Sequence, residues 1–283
     1  MPDFNPTLLR RVLMLRQFPL LATADLDELA TIAENTIESH FAAGATVARS
    51  GRCLAGLQLV IAGRIEANGH GWGPRHVFGT LEVFAGRAAS SPAIAITETH
   101  TLELPAHDVG ELLEDNFGLL LFALRELASH MVHIKPRVTR PPRFSNGPLG
   151  LVDRLILFRQ QFPFTAARLH ALAALADTSQ EIWWPAGTVI AREGDRANNG
   201  FIIVEGTLRT SRGQVVGPGA QIGHLETLAG LHHGATVETT SVVRGLCTAG
   251  PAILDVLEDH TDVGLAMIAS FASALLDAAN RLN

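Results

Sequence analysis

PGAQIGHLETLAGLHHGATV, running from Pro218 to Val237, organises the reading of this chain. A strand leads into Pro218-Gly219, a tight turn falls at Gly223, a short helix spans Leu225 to Ala229, and a Gly-rich turn opens a new β run at Ala235. That order points the amide groups of a short helix's first turn into a concave sheet, where they are good donors for an anion. The layout occurs once more, at Pro74 to Ala93 (PRHVFGTLEVFAGRAASSPA).

Other landmarks repeat with it. Phe18-Pro19 answers to Phe162-Pro163, Gly44 to Gly187, Gly51 to Gly194, Gly63 to Gly206, and Gly79-x-Leu81-Glu82 to Gly223-x-Leu225-Glu226. Ala85-Gly86 then matches Ala229-Gly230, and Glu114-Asp115 matches Glu258-Asp259. The offset shifts by one residue between Pro19 and Gly44 and shifts back between Gly63 and Gly79, so a duplicated unit is the economical explanation.

Each unit opens with helix. Asp25 with Glu28 forms a capping pair, Leu26, Leu29 and Ile32 recur at helical spacing, and Leu169, Leu172 and Leu175 repeat the stripe. β runs follow at 40–47 and 182–189, then at 57–66 and 201–209, the last two each broken by one glycine. Strands at 94–104 and 237–247 lead to helix at 109–132 and 253–282. The fold class is therefore mainly β with flanking helices, two jelly-roll-like β-rolls in tandem. The domains are 1–135 and 151–283, joined by the Pro/Arg-rich linker 136–150 (PRVTRPPRFSNGPLG), which cannot continue a helix.

On these residues the chain resembles the cyclic-nucleotide-binding domain, the β-roll of Crp/Fnr regulators and kinase regulatory subunits. That family carries a phosphate cassette G-E-L-A-L, a few residues, then R-x-A-T-V. Gly223, Leu225, Leu228, Ala235, Thr236 and Val237 fall on the pattern without a gap. Where the family places the glutamate that takes the ribose 2′-hydroxyl, the chain has His224. Where it places the arginine that pairs with the cyclic phosphate, the chain has His233. The first copy has Thr80 and Ala89 there, with Arg87 two residues early. The resemblance makes Gly223, His224, Leu225, His233, Ala235 and Thr236, together with Gly79, Thr80, Arg87 and Ser90, the candidate ligand-binding residues.

The swaps matter chemically. A bidentate guanidinium is not copied by an imidazole, which supplies charge only when protonated, and an imidazole nitrogen accepts one bond where a carboxylate accepts several. The resemblance, with its cassette pair missing, implies a non-catalytic regulatory or scaffold protein. The alternative is a sensor that takes a cyclic nucleotide or another anion through the rewired second cassette. No cofactor is assigned beyond a possible cyclic nucleotide.

Composition bounds the rest. With 283 residues, 47% of them hydrophobic, and a mean hydropathy of +0.21, the chain buries two cores. A net charge of −6 provides no overall basic field for nucleic acid or an anionic membrane. Cys53 and Cys247 have no ligand spacing, and both read as small buried residues in a reducing compartment. The N-terminus mixes Arg10, Arg11 and Arg16 into its apolar residues, unlike a signal peptide, and a cytoplasmic location follows. Partners are expected to be a protein or a second copy of the chain, met through the flanking helices, with neither DNA nor membrane.

Spacing argues against an enzyme or metal site. His224, His232 and His233 have no recognised metal-ligand spacing, so no metal is assigned to them. The H-x-H start of a cupin site is missing, since His70 and His76 are too far apart and Glu82 has no paired histidines before it. Gly69-x-Gly71-x-Gly73 reads as a hairpin turn, and Trp183-Trp184 as a strand pair divided between core and rim.

Overall fold

A computed structural model describes residues 6–21, 24–134, 144 and 147–282. It forms two compact units, Met1–Ala123 with Ala272–Asn283, and Leu124–Phe271. The stretch read as the linker lies largely outside the described residues. The units divide at other places, inside the helices Phe117–Met131 and Thr261–Leu282.

The first unit begins with α1 (Pro6–Leu15) and α2 (Leu26–Asn35). Asp25 caps α2: its carboxylate accepts from the Glu28 amide at 2.8 Å while Glu28 accepts from the Asp25 amide at 2.7 Å. Leu29 and Ile32 are buried as the stripe requires, but Leu26, in the first turn, is 61% exposed. Asp25→Ala is expected to lower the unit's stability by about 1 kcal/mol, seen as a lower urea midpoint with unchanged slope.

Eight strands follow, β1 (Ile37–Phe41), β2 (Thr46–Ala48), β3 (Gly56–Ala62), β4 (Ile65–Ala67), β5 (His70–Trp72), β6 (Val77–Phe78), β7 (Ala93–Ala95) and β8 (Thr99–Pro105), with α3 (Thr80–Ala85) between β6 and β7. They make two antiparallel sheets ordered β1-β8-β3-β6 and β2-β7-β4-β5. β4 and β5 pair as a hairpin around Asn68-Gly69, as the glycine run indicated. Between the sheets Val60, Ile65, Phe78 and Ala93 are buried, and Trp72 meets Phe78 edge-on at 5.1 Å. The helical stretch at 109–132 is two helices, α4 (Ala106–Asp115) and α5 (Phe117–Met131). Asn116 breaks it, because its side-chain oxygen accepts the Leu119 amide at 2.9 Å and so starts a new helix.

The second unit repeats the plan with α6 (Leu151–Gln160), α7 (Leu169–Thr178), β9 (Gln180–Trp184), β10 (Val189–Ala191), β11 (Asn199–Glu205), β12 (Leu208–Thr210), β13 (Val215–Val216), β14 (Gln221–Ile222), α8 (His224–Ala229), β15 (Val237–Thr239), β16 (Val243–Ala249), α9 (Gly250–Asp259) and α10 (Thr261–Leu282). Its sheets are β9-β16-β11-β14 and β10-β15-β12-β13, the first unit's orders strand for strand. Even the bulges recur, between Val60 and Ala62 and between Ile203 and Glu205. Leu172 and Leu175 are buried, while Leu169, in the first turn of α7, is exposed like Leu26.

The repeated glycines are conformational. Gly63 and Gly206 have φ of +84° and +89°, and a Cβ on either would lie 2.3 Å from a carbonyl oxygen, of Glu98 and Val242 respectively. This close approach lets one strand of each roll cross to the other sheet.

One buried charge anchors the second roll. Arg244 has a side chain with no exposure; its Nε donates to Glu181 at 2.7 Å, its Nη1 to Glu205 at 3.3 Å and its Nη2 to the Gly147 carbonyl at 2.6 Å. The guanidinium also lies 5.2 Å from the centre of the Trp183 ring. Trp183 is half exposed beneath it and Trp184 packs on the core, the division read from the sequence. The cysteine expectation fails in part: Cys53 is exposed in a turn and Cys247 is half-buried, with burial raising its thiol pKa.

Candidate functional site

The second cassette is built on Gly223. Its φ is +78°, and a Cβ there would lie 2.6 Å from the Asn199 carbonyl oxygen, so the chain turns sharply against β11 before α8 begins. His224, the first residue of α8, is carried by that turn onto Gly200. A Cβ on Gly200 would meet the imidazole Cδ2 at 2.6 Å and Nε2 at 2.8 Å, so the ring fills the space a side chain on β11 would otherwise take.

Both His224 nitrogens are sealed from solvent and have no hydrogen-bond partner among the described residues. Burial lowers its pKa to about 4, so near neutral pH it is uncharged. In this conformation neither nitrogen reaches a ligand. The residue standing where the family has its ribose carboxylate is thus a packing element.

His233 is placed differently. Its amide donates to the Asp195 carbonyl at 2.9 Å, its carbonyl accepts from Gly194 at 3.0 Å, and its ring edges a cavity of about 230 Å³. Arg192, Asp195, Arg196, Asn198, Asn199 and Phe201 also line it. Neither Arg192 nor Arg196 makes a side-chain hydrogen bond or ion pair among the described residues. Their positions flank the Glu193-Gly194-Asp195 turn. A turn with an arginine on each side was the available signal.

The remaining second-cassette candidates are structural. Thr236 Oγ1 accepts the Glu193 amide at 3.0 Å, and the Thr236 amide donates to Ser211 Oγ at 3.2 Å. The hydroxyl hydrogen stays free of any described acceptor. Leu225 and Ala235 are half-buried, and Arg212 Nη2 ties the turn between them by donating to the Gly234 carbonyl at 2.7 Å.

In the first cassette Gly79 has φ +90°, and a Cβ there would lie 2.6 Å from Leu54 Cδ1. Thr80 begins α3 half-buried, and the Ser90 carbonyl accepts from Ser50 Oγ at 3.0 Å. Arg87 does not turn toward an empty phosphate position. Its Nη1 donates to Asp277 Oδ1 at 2.6 Å and to the Ser273 carbonyl at 3.4 Å, both in the same compact unit. The sequence held no sign of this, since the partners lie 190 and 186 residues away. Exposed on both sides, the pair is worth at most about 1 kcal/mol.

The three cassette histidines are not gathered. His224 lies under β11, His233 edges the cavity, and His232 stands in an isolated bridge with Arg196. Among the described residues they form no metal-ligand group.

No family model and no curated protein matches the chain. Solved structures are similar to it. The regulatory domain of Toxoplasma gondii PKA with cAMP is 15% identical, over 99% of this chain and 98% of its own, with a TM-score of 0.36. The regulatory subunit of a cAMP-independent protein kinase A from Trypanosoma brucei is 16% identical over 93% and 91%, with a TM-score of 0.38. The N-terminal domain of a transcriptional regulator from Streptomyces coelicolor is 22% identical over 43% of this chain and 94% of its own, with a TM-score of 0.40. The topology itself carries the fold: two antiparallel rolls in tandem, each with a short helix before its seventh strand and two helices after its eighth.

Proposed function

We propose that the chain is a non-catalytic regulatory or scaffold protein whose rolls act through their surfaces rather than through a bound cyclic nucleotide. The observation that carries this reading is His224, sealed and uncharged on Gly200 where a ribose-binding carboxylate would stand. The engaged Arg87 adds to it. Its partners are a protein or a second copy of the chain, met through the flanking helices in the cytoplasm, without DNA or membrane. By length and composition α10 is apolar enough to cross a bilayer, but Val263, Met267, Ile268 and Phe271 are buried in the protein, which favours a packing role.

A second reading has its own observation. The cavity beside His233 presents two arginines without described partners, which suits a small anion. Calorimetric titration with a panel of cyclic mononucleotides and dinucleotides separates the two. A flat trace at neutral pH is expected. Saturable heat abolished by Arg192→Ala with Arg196→Ala would overturn the scaffold reading in favour of an anion sensor.

A further inference from the structure

Away from both cassettes, the outer face of β1 and β8 carries a group of chemistry-bearing side chains. Glu38 and His40 are two residues apart on β1, so both leave the same face of the sheet. His100 on β8 lies directly opposite His40 in register. The two imidazoles stack with centroids 4.2 Å apart and planes inclined by 8°. His100 Nε2 approaches Glu38 Oε2 to only 3.6 Å, beyond hydrogen-bond distance, and is left buried without a hydrogen-bond partner. One ligand atom from each of the three residues lies within 4.8 Å of the others.

The second roll shows what this position holds when it is filled. Arg244 stands opposite Trp183 as His100 stands opposite His40, and Glu181 precedes Trp183 by two residues as Glu38 precedes His40. There a guanidinium at 2.7 Å neutralises the carboxylate. In the first roll that cation is replaced by the imidazole of His100, whose Nε2 is buried without a hydrogen-bond partner among the described residues. Arg11 remains, 3.4 Å from Glu38 but donating at shorter range, 2.9 Å, to the Thr36 carbonyl.

We propose that Glu38, His40 and His100 bind a divalent transition metal of the imidazole-binding class, with Zn²⁺ the first candidate. Two imidazoles and a carboxylate are a donor set that zinc accepts while keeping a fourth position for water. Stacked rings aim their lone pairs along parallel planes, so binding requires His40 to rotate out of the stack. His40 is exposed, which gives it that freedom and gives the ion its way in. Arg11 beside Glu38 then orients the carboxylate from behind.

The test uses the full chain, stripped with EDTA and titrated with ZnCl₂ in a calorimeter at pH 7.5. A second group, His170, His260 and Asp262, supplies the control, since Asp262 there pairs with Arg168 at 3.5 Å. The expected result is a site weakened at least tenfold by His40→Ala and by Glu38→Gln, and unchanged by His170→Ala. Exposed His40 makes its alanine variant safe for folding, and far-ultraviolet circular dichroism checks that. Zinc binding unaltered in His40→Ala, or lost only in His170→Ala, would overturn the proposal.

Discussion

Arg244→Met is expected to destabilise the second unit by about 3–5 kcal/mol, read as a lowered urea midpoint. Its guanidinium is wholly buried and satisfies Glu181, Glu205 and the Gly147 carbonyl at once. Methionine of similar length keeps the packing but leaves the Glu181 carboxylate, only 12% exposed, without its cation. That uncompensated charge, rather than the lost attraction, sets the size of the effect. Burial alone pushes the Glu181 carboxyl up; the Leu149 amide and Arg244 outweigh it and hold the pKa below the usual carboxylate range. A depressed carboxylate contributes stability above its unfolded pKa and loses it as pH falls through the folded one. In the variant the same carboxyl titrates higher, so the gap between wild type and Arg244→Met is expected to be widest at pH 7 and to narrow toward pH 4. Adding Glu181→Gln, which keeps an acceptor for Leu149, should restore more than half of the loss. Strictly additive costs for the two changes would show that the pair is not coupled.

His224 makes the protein acid-labile well above the range where carboxylates titrate. Its pKa falls from 6.5 in the unfolded chain to about 4 in the folded one, through burial. Above 6.5 both states are neutral and nothing is lost. Between 6.5 and 4 the unfolded chain takes a proton that the folded chain refuses, and stability falls by up to about 1.4 kcal/mol per pH unit. Part of the residue remains accessible although its nitrogens are sealed, so the total is put at about 2 kcal/mol. His224→Leu should remove this slope between pH 6.5 and 4.5. At pH 7 it should leave stability equal or higher by about 1 kcal/mol, because two unpartnered buried nitrogens disappear. Parallel pH profiles for wild type and variant would mean that the ring is solvated, and the packing role assigned to it would fall.

The candidate site was legible in position and illegible in chemistry. The turn at Gly223 and α8 stand where the sequence placed them, because each depends on residues within a few positions of one another, while the strand expected from Ala235 begins at Val237. Whether His224 faced a ligand or a strand depended on Gly200, a separate element, and the answer is a strand. Arg192 and Arg196 were passed over because a turn's composition does not say which cavity it borders.

By itself the sequence determined the tandem of rolls, since glycines repeated at Gly63 and Gly206 and at Gly79 and Gly223 mark the same turns twice, places where only a residue without a Cβ takes the positive φ without strain. It also determined the cap of α2, a matter of three residues. Tertiary structure alone decided that Arg87 pairs with Asp277, that His40 stacks on His100, and that Arg244 is neutralised by Glu181. These pairs lie on different elements, far apart along the chain. Their meeting follows from strand register and helix packing, which no local pattern encodes.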